Sequence, residues 1–472
     1  MIQCGSSMMT WRSALELADL VRRKEVKPLE VLDAVLARLE AVNPTINAFC
    51  LVAADAARAA AREAEIAVMK GEPLGPLHGV PVSIKDVLPT RGLTTTGGSR
   101  LFEDFVPEHD ALAVGRLRAA GTVLFGKTNT SEFSYKALTD NPLFGVTRNP
   151  WDPALTPGGS SGGAAAAVAS GVGPVALGTD AGGSIRIPAS FCGVYGFKPS
   201  LGRVPDRAAF GGFERVGHVG PITRTVRDAA AVLDVIAGGD DRDRGSLPRE
   251  GGSYLEACDA DVKGLNVAWA PDLGYAAVDP RVLAVCENAA GAFEALDCHV
   301  EVVNPGWESP EELFTTMIAA QFYAAWSDRL PDAEPLMDPS LVRFIRRGGA
   351  VSARDYLRAV ARVEEYWAEV QTFLERFDVL LMPTAAVLPF AAGALPPREI
   401  AGQEVSVLGW MPFTYPFNMT GQPAASVPAG WTDDGLPVGL QIVGRRHADG
   451  TVLAASAAFE AASPWRDRRP GL

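Results

Sequence analysis

Residues 157–186 of the chain read PGGSSGGAAAAVASGVGPVALGTDAGGSIR and contain two glycine–serine segments. The first segment spans residues 157–163, and the second spans residues 178–186, directly after a short apolar run. Glycine residues allow backbone N–H groups to converge, because no Cβ blocks the required dihedral angles or a close approach. A serine in such a loop lies beside ready donors for an oxyanion. Two such segments, both flanked by apolar sequence, favour a catalytic site over a pair of flexible loops.

Short β-type runs and helical patterns alternate along most of the chain around this stretch. Strands are predicted at residues 80–87, 122–125, 175–177, 265–270, 300–303, 379–382, 424–427 and 440–443. Helices are predicted within the first 70 residues, including an Ala-rich helix at 53–69, and at residues 111–120, 225–237, 280–296, 353–376 and 451–462. Strands that alternate with helices indicate an α/β fold with a mostly parallel sheet.

The chain is expected to form a single domain over residues 1–472, because no stretch has the composition of a long linker. An N-terminal helical segment covers residues 1–70, and the catalytic core covers residues 71–240. Residues 305–375 are predicted to form a helical insertion over the sheet. Residues 376–472 are predicted to complete the core.

The balance of charges is acidic: 43 Lys and Arg against 56 Asp and Glu give a formal net charge of −13. Phosphate binding needs clustered Lys and Arg, so this charge argues against nucleic acid as the main ligand. We expect a small-molecule substrate, a monomer or homodimer, and neither a metal nor a cofactor.

The six cysteines are scattered and form no CxxC motif, a spacing typical of free thiols in a reducing compartment. They are Cys4, Cys50, Cys192, Cys258, Cys286 and Cys298. Residues 1–10 lack a charged region followed by an apolar core, which argues against a secretory signal and against a lipid anchor at Cys4. Residues 162–178 are too rich in small residues for a membrane span. A cytoplasmic protein without membrane association is expected.

A nucleophilic serine needs a base, and none of the five histidines lies in a recognisable catalytic setting. A neutral lysine can replace histidine, and burial lowers a lysine pKa by up to roughly 3–5 units. Lys85 ends an apolar strand-like run in GVPVSIKD, residues 79–86. Lys127 and Lys198 also follow apolar runs, so the local pattern leaves three candidates for the base.

The chain resembles the amidase signature family in several separate segments, which together cover most of its length. They are residues 79–86, 157–163, 178–189, 191–199, 220–224, 416–423 and 435–441, whereas residues 240–375 match weakly. The resemblance implies the amidase signature fold, a large central mixed, mostly parallel β-sheet covered by helices on both faces. It also implies hydrolysis of amide-type C–N bonds without a cofactor.

Residue by residue, the resemblance implies a Ser–cisSer–Lys mechanism through an acyl-enzyme. Lys85 would be the base, Ser160 the bridging serine held by a cis peptide, and Ser184 the nucleophile. Backbone N–H groups would form the oxyanion hole, from Ala181, Gly182, Gly183 and Ser184. Other side chains would hold the loops by hydrogen bonds, namely Ser161, Thr179, Asp180 and Arg186.

Three other interpretations compete with this one. Residues 121–128, GTVLFGKT, match the Walker A expression, but their middle residues are predicted to form a strand rather than a phosphate-binding loop. Residues 159–163 match G-x-S-x-G, which in an α/β-hydrolase esterase would need His447 with Asp378 or Asp433. A non-catalytic protein could also bind an anion in the two glycine-rich loops.

The predicted substrates are aryl or alkyl amides, with carbamates (urethanes) and esters as related classes. The aromatic residues Trp410, Phe413, Tyr415 and Phe417 around residues 416–423 favour a stand-alone amidase over the alternative, the A subunit of glutamyl-tRNA amidotransferase. Candidate substrate-binding residues are Phe133, Ser134, Tyr135, Arg207 and Phe210. Residues 203–220 are predicted to form a mobile loop in which Phe210 and Phe213 restrict access.

Overall fold

The computed structural model describes residues 9–207, 209–249 and 251–472. The start of the predicted N-terminal segment, with Cys4, lies outside the described residues. Position 208 of the loop 203–220 also lies outside them.

The strands are short and mostly buried. They are β1 (Phe49–Val52), β2 (Pro81–Lys85), β3 (Val123–Thr128), β4 (Asp140–Asn141), β5 (Gly145–Val146), β6 (Val175–Asp180), β7 (Tyr195–Lys198), β8 (His218–Thr223), β9 (Asn266–Trp269), β10 (His299–Val302), β11 (Val379–Pro383), β12 (Glu399–Ile400), β13 (Gln403–Glu404), β14 (Ala424–Trp431) and β15 (Pro437–Gly444).

The α-helices range from single turns to six turns. They are α1 (Ala14–Arg22), α2 (Pro28–Ile46), α3 (Ala54–Lys70), α4 (Leu112–Ala119), α5 (Gly162–Ala169), α6 (Arg186–Cys192), α7 (Val226–Ile236), α8 (Tyr254–Ala257), α9 (Pro280–Ala295), α10 (Glu311–Trp326), α11 (Leu330–Ala333), α12 (Pro339–Gly348), α13 (Ala353–Leu374), α14 (Pro416–Met419) and α15 (Asp449–Ala462). Each predicted helix from 111–120 onward corresponds to one of these, and Thr225 and Ser352 cap α7 and α13 with their side chains.

Eleven of the described strands form one sheet in the order β1-β3-β2-β6-β8-β7-β14-β15-β11-β9-β10. The α/β fold with a large mixed sheet is confirmed. Parallel neighbours lie toward the two sides of the sheet, in the pairs β3–β2, β2–β6, β11–β9 and β9–β10. The expectation of a mostly parallel sheet needs correction for the middle, where β6 to β11 pair antiparallel, and for the edge pair β1–β3, which is also antiparallel. A tight turn joins β14 and β15, and such a turn can join only antiparallel neighbours.

Helices cover both faces of the sheet, as predicted. Successive residues of β11 point to opposite faces, so that Val379 and Leu381 belong to one core cluster and Leu380 and Met382 to another. Helices α1, α7, α9 and α15 contribute to the first cluster, and helices α10, α12 and α13 contribute to the second. Within the described residues, none of the helices is long and apolar enough to cross a membrane.

The parallel pair β2–β6 sets the position of the candidate site. Ile84 of β2 lies opposite Leu177 of β6, so both strands end at the same edge of the sheet. Lys85 is the last residue of β2, and the second glycine–serine loop follows directly after β6.

Candidate active site

Lys85 lies in the interior of the protein, because every residue of β2 is buried. Its Nζ donates a hydrogen bond to Ser160 Oγ at 2.7 Å and another to Thr179 Oγ1 at 2.8 Å. Burial holds the pKa of Lys85 well below its usual value, although the charge of Asp180 acts in the opposite direction. A lowered pKa favours the neutral amine, which is the form that can accept a proton.

Ser160 lies within the first glycine–serine loop, just before α5. The Gly159–Ser160 peptide bond is cis. Thr139 Oγ1 donates to the Gly158 carbonyl oxygen at 2.8 Å and accepts the Gly162 N–H at 3.0 Å, which fixes the loop. A Cβ at Gly159 would lie 2.4 Å from the Leu138 backbone, so this close approach requires glycine.

Ser184 lies between β6 and α6, and only 8% of it is exposed. The Ser161 N–H donates to the Ser184 carbonyl oxygen at 3.1 Å and so joins the two glycine–serine loops. The Ser161 hydroxyl donates to the Thr179 carbonyl oxygen at 3.1 Å. Ser161 thus contacts both loops, and its role in supporting them stays a prediction. Thr179 does more than support a loop, since its hydroxyl contacts Lys85 directly.

Asp180 and Arg186 form an ion pair beneath the Ser184 loop, with 2.9 Å between Arg186 Nη2 and Asp180 Oδ1. Arg186 also donates to Gln441 Oε1 at 2.7 Å and to Asn418 Oδ1 at 2.6 Å. Burial alone would raise the pKa of Asp180, but the charge and hydrogen bonds of Arg186 outweigh it and hold this pKa well below its usual range. The pair ties the end of β6 to the start of α6.

The predicted oxyanion hole needs one correction. The Gly183 N–H donates to Asp180 Oδ1 at 2.7 Å, so it is not available to a ligand in this structure. Among the described residues, the N–H groups of Ala181, Gly182 and Ser184 have no hydrogen-bond acceptor. Three of the four predicted donors therefore remain available. Gly183 has a positive φ of 128°, a conformation that glycine adopts readily because it has no Cβ.

All three candidate lysines are fully buried, but only Lys85 contacts one of the candidate serines. Lys127 Nζ donates to the Leu88 carbonyl oxygen and to the hydroxyls of Thr90 and Thr95. Lys198 Nζ donates to the Gln422 carbonyl oxygen at 2.5 Å. The structure thus separates three residues that the local sequence pattern left equivalent.

The competing motifs lack the structural context that they need. Val123 to Thr128 form β3, so the middle of the Walker A match is a strand and not a phosphate-binding loop. No strand leads into residues 159–163, and His447 does not line either cavity at Ser184. Within the described parts of the chain, no group of three or more His, Cys, Asp or Glu could hold a metal ion.

Two cavities meet at Ser184. The larger has a volume of about 930 Å³ and the smaller a volume of about 290 Å³. Ser134, Ala181, Ser184 and Phe213 line both cavities, whereas Ser160 lines only the larger one. Charged side chains surround the larger cavity, namely Asp206, Arg207, Glu214, Arg215, Asp243 and Arg244. The wall of the smaller cavity is mainly apolar and includes Phe314, Ile318, Phe344, Leu408, Trp410 and Met411.

The five predicted substrate-binding residues all line one of these cavities. Phe133, Ser134, Arg207 and Phe210 line the larger cavity, and Ser134 and Tyr135 line the smaller one. The ring of Phe133 is almost fully buried and stacks on Phe210, with 5.3 Å between the ring centroids. Phe133 therefore both lines the larger cavity and packs in the core.

Sequence reasoning missed most of the apolar wall and one histidine. Phe314, Ile318 and Phe344 lie in helices within the region that resembles the family only weakly, so no motif marked them. His218 lines the larger cavity, and its Nε2 lies 3.3 Å from Lys198 Nζ. Burial, followed by the charge of Lys198, holds the pKa of His218 well below its usual value. His218 lies within residues 203–220, which the sequence places near the site, but β8, which begins at His218, was not predicted.

A model of the amidase family matches residues 30–453 of the chain. The chain belongs to this family, the amidase signature enzymes. The amidase is 43% identical to an acylamidase of Rhodococcus erythropolis, over 98% of this chain and 97% of the relative. It is 38% identical to the A subunit of the glutamyl-tRNA(Gln) amidotransferase of Moorella thermoacetica, over 98% of each chain.

A solved structure of a bacterial aryl acylamidase of the amidase signature family superimposes on the chain with a TM-score of 0.91. The two are 36% identical, and the match covers 96% of this chain and 97% of the other. The predicted family and its reaction class are confirmed. The amidase is a hydrolase of amide C–N bonds with a small-molecule substrate.

Proposed function

We propose that the amidase cleaves its substrate through an acyl-enzyme on Ser184, with Ser160 as proton relay and Lys85 as general base. The observation that carries this proposal is the 2.7 Å hydrogen bond between Lys85 Nζ and Ser160 Oγ. Ser160 and Ser184 line the same cavity, and burial favours the neutral form of Lys85. Ser–Lys pairs of this kind replace the Ser–His pair in some hydrolases.

The proposed acylation step moves two protons along the relay. The Ser184 hydroxyl gives its proton to Ser160, Ser160 gives its own proton to neutral Lys85, and Ser184 Oγ bonds to the carbonyl carbon. The N–H groups of Ala181, Gly182 and Ser184 stabilise the oxyanion, and loss of one such donor typically costs about 3–4 kcal/mol. The C–N bond then breaks as Ser160 protonates the leaving nitrogen and recovers a proton from Lys85.

Deacylation uses the same groups with water in place of Ser184. Water loses a proton to Ser160, which passes one to Lys85, and the water oxygen bonds to the acyl carbon. The ester bond to Ser184 breaks, and the returning proton restores the Ser184 hydroxyl. The sum of both steps is amide plus water to carboxylic acid plus amine.

The two cavities differ in their access to the proton relay. This difference indicates which cavity holds the leaving amine and which holds the acyl group. Ser160 must reach the leaving nitrogen, and Ser160 lines only the larger, charged cavity. The leaving amine therefore occupies the larger cavity, and water follows by the same route. The acyl group occupies the apolar cavity, whose wall suits an aromatic or branched aliphatic group.

Apolar acyl amides are accordingly the proposed substrates, with anilides, carbamates and esters as variants that undergo the same attack. The acylamidase name of the Rhodococcus relative supports this class. The Moorella relative supports the A subunit of a glutamyl-tRNA amidotransferase as a second candidate. The apolar cavity favours the first, because a charged substrate group would lose its solvation there.

We further propose a cytoplasmic monomer or homodimer without a nucleic-acid or membrane partner. The five cysteines of the described residues are free, which supports a reducing compartment. The acidic net charge supports the absence of a nucleic-acid partner. Light scattering after size exclusion measures the mass of the particle in solution, and a particle larger than a dimer contradicts this proposal.

Labelling with a fluorophosphonate tests the nucleophile. A covalent adduct on Ser184, identified by peptide mass spectrometry and lost in Ser184→Ala, is expected. An adduct elsewhere, or full activity of Ser184→Ala, contradicts the mechanism.

Two cavity-filling variants test the assignment of the acyl group. Leu408→Trp narrows the apolar cavity, and Ala209→Trp narrows the charged one. Only the acyl group remains on the enzyme after acylation, so Leu408→Trp should slow both acylation and deacylation of a benzoyl enzyme. Ala209→Trp should slow acylation more than deacylation, because the water molecule needs less room in the larger cavity than the leaving amine does. The reverse pattern in single-turnover kinetics contradicts the assignment.

A further inference from the structure

Glu132 is a buried carboxylate that the proposed mechanism does not use. The Ser99 hydroxyl donates to its Oε1 at 2.5 Å, and the Asp338 N–H donates to its Oε2 at 2.6 Å. Glu132 and Ser99 are fully buried, and Asp338 is 8% exposed. Burial raises the pKa of Glu132 to about 7, while the hydrogen bonds from the Ser99 hydroxyl and the Asp338 N–H act against it. A buried carboxylate costs free energy unless its partners compensate, so its two donors are structurally important.

On one side, Glu132 begins a strained segment of the cavity wall. Phe133 and Ser134 follow it with φ angles of 48° and 61°, in the left-handed region. Such conformations persist only where neighbouring contacts hold them. Ser134 lines both cavities at Ser184, so the conformation of this segment shapes the site directly.

On the other side, Glu132 contacts the start of α12. Asp338 is the N-cap of this helix, and Ser340, Phe344 and Arg347 of α12 line the apolar cavity. Two further contacts join the same elements: Tyr135 Oη contacts Ser340 Oγ, and Lys136 Nζ lies 3.0 Å from Asp338 Oδ2. The Glu132 contact is the most deeply buried of these three links.

We propose that Glu132 is a positioning residue that sets selectivity for acyl size. Glu132 holds α12 against the strained segment that contains Ser134, and this contact fixes the shape of the apolar cavity. This inference rests on the proposed placement of the acyl group in that cavity. A small acyl group, such as acetyl, occupies less of this cavity than benzoyl and should depend less on the position of α12.

The test compares N-acetyl and N-benzoyl 4-nitroanilides on the full-length enzyme. Glu132→Leu removes both acceptors, and its KM for the benzoyl substrate should rise about fivefold or more, because small displacements of a bound group are costly. Its kinetics on the acetyl substrate should change by less than about twofold. Glu132→Gln should restore the wild-type ratio, since its carbonyl oxygen can accept the Asp338 N–H while Ser99 accepts from its amide.

A second pair of variants isolates the Asp338 N–H in case Glu132→Leu does not fold. Asp338→Pro removes the N–H and is compatible with the observed φ of −58°, whereas Asp338→Ala keeps the N–H but loses the same side-chain contacts. The benzoyl-to-acetyl ratio should fall further in Asp338→Pro than in Asp338→Ala. Ser99→Ala serves as the control, because it removes a partner of Glu132 without freeing α12.

Equal losses on both substrates, or equal ratios in the two Asp338 variants, overturn the positioning role. Failure of the proposed mechanism has a different signature. In that case Ser184→Ala would keep full activity on both anilides, both with Glu132 and with its substitutions.

Discussion

Arg186 and Asp180 form a fully buried ion pair, with guanidinium nitrogens 2.9 Å from both carboxylate oxygens. The carboxylate also accepts the N–H groups of Gly183 and Ile185, on either side of Ser184. The pair therefore determines where the Ser184 loop lies relative to the end of β6. Removing one partner leaves an unpaired charge in the core, which is among the most destabilising changes that a protein can undergo.

Arg186→Ala should lower the free energy of unfolding by about 3–5 kcal/mol and abolish activity. Urea denaturation measures the stability. Arg227→Ala is the matched control, because its ion pair with Asp259 is exposed and should contribute only about 0–1 kcal/mol. Similar losses in the two variants would show that the buried pair has no special role.

Lys85→Ala should reduce kcat/KM by about 10²–10⁴-fold, the usual contribution of a general base. Protonated Lys85 cannot accept a proton, so wild-type activity should rise as pH passes upward through the pKa of Lys85. Burial holds that pKa well below the usual lysine value. The acidic limb of the pH–rate profile should disappear in the variant. Unchanged kcat at every pH argues against Lys85 as the base.

Lys127 gives a prediction for stability rather than rate. Burial lowers its pKa from the usual 10.5 to about 8. Between these two pH values the unfolded chain binds more protons at this residue, so its contribution to stability rises with pH and is lost as pH falls toward 8. The full contribution is roughly 3 kcal/mol. Lys127→Met should remove this rise from the pH dependence of urea unfolding while the acidic limb of the rate profile remains.

Much of the fold could be predicted because most strands are apolar runs with clear boundaries. The predicted strand at 175–177 lies within β6, and the predicted helix at 280–296 corresponds to α9. Strands β7 and β8 were missed, since glycine and proline interrupt their apolar pattern and their strand pairing depends on the surrounding sheet. Helix α5 was missed because all of its residues are buried, so it has no polar face to reveal a helical period.

Local sequence pattern predicts only those residues of the candidate site that lie in the two glycine-rich loops. Ser160 and Ser184 lie in glycine-rich segments that the sequence displays directly. The choice among Lys85, Lys127 and Lys198 depends on contacts between distant strands, which local pattern does not contain. The hydrogen bond from the Gly183 N–H to Asp180 likewise depends on the geometry of the loop, which the local pattern does not contain.

Thr179 is the clearest example of a contact that sequence could not reveal, and it gives the last prediction. Thr179→Val keeps the shape of the side chain but removes the acceptor 2.8 Å from Lys85 Nζ. An acceptor favours the protonated amine, so its loss should lower the pKa of Lys85 further and move the acidic limb of the rate profile to lower pH. The less restrained amine should also reduce kcat/KM about tenfold.

Thr223→Val is the matched control for this change. Thr223 is a buried threonine of β8 whose hydroxyl bonds to the Thr225 carbonyl oxygen at 2.7 Å. Its loss should affect stability without moving the acidic limb. A limb that stays in place in Thr179→Val, or moves to higher pH, would mean that Thr179 does not influence the proton affinity of Lys85.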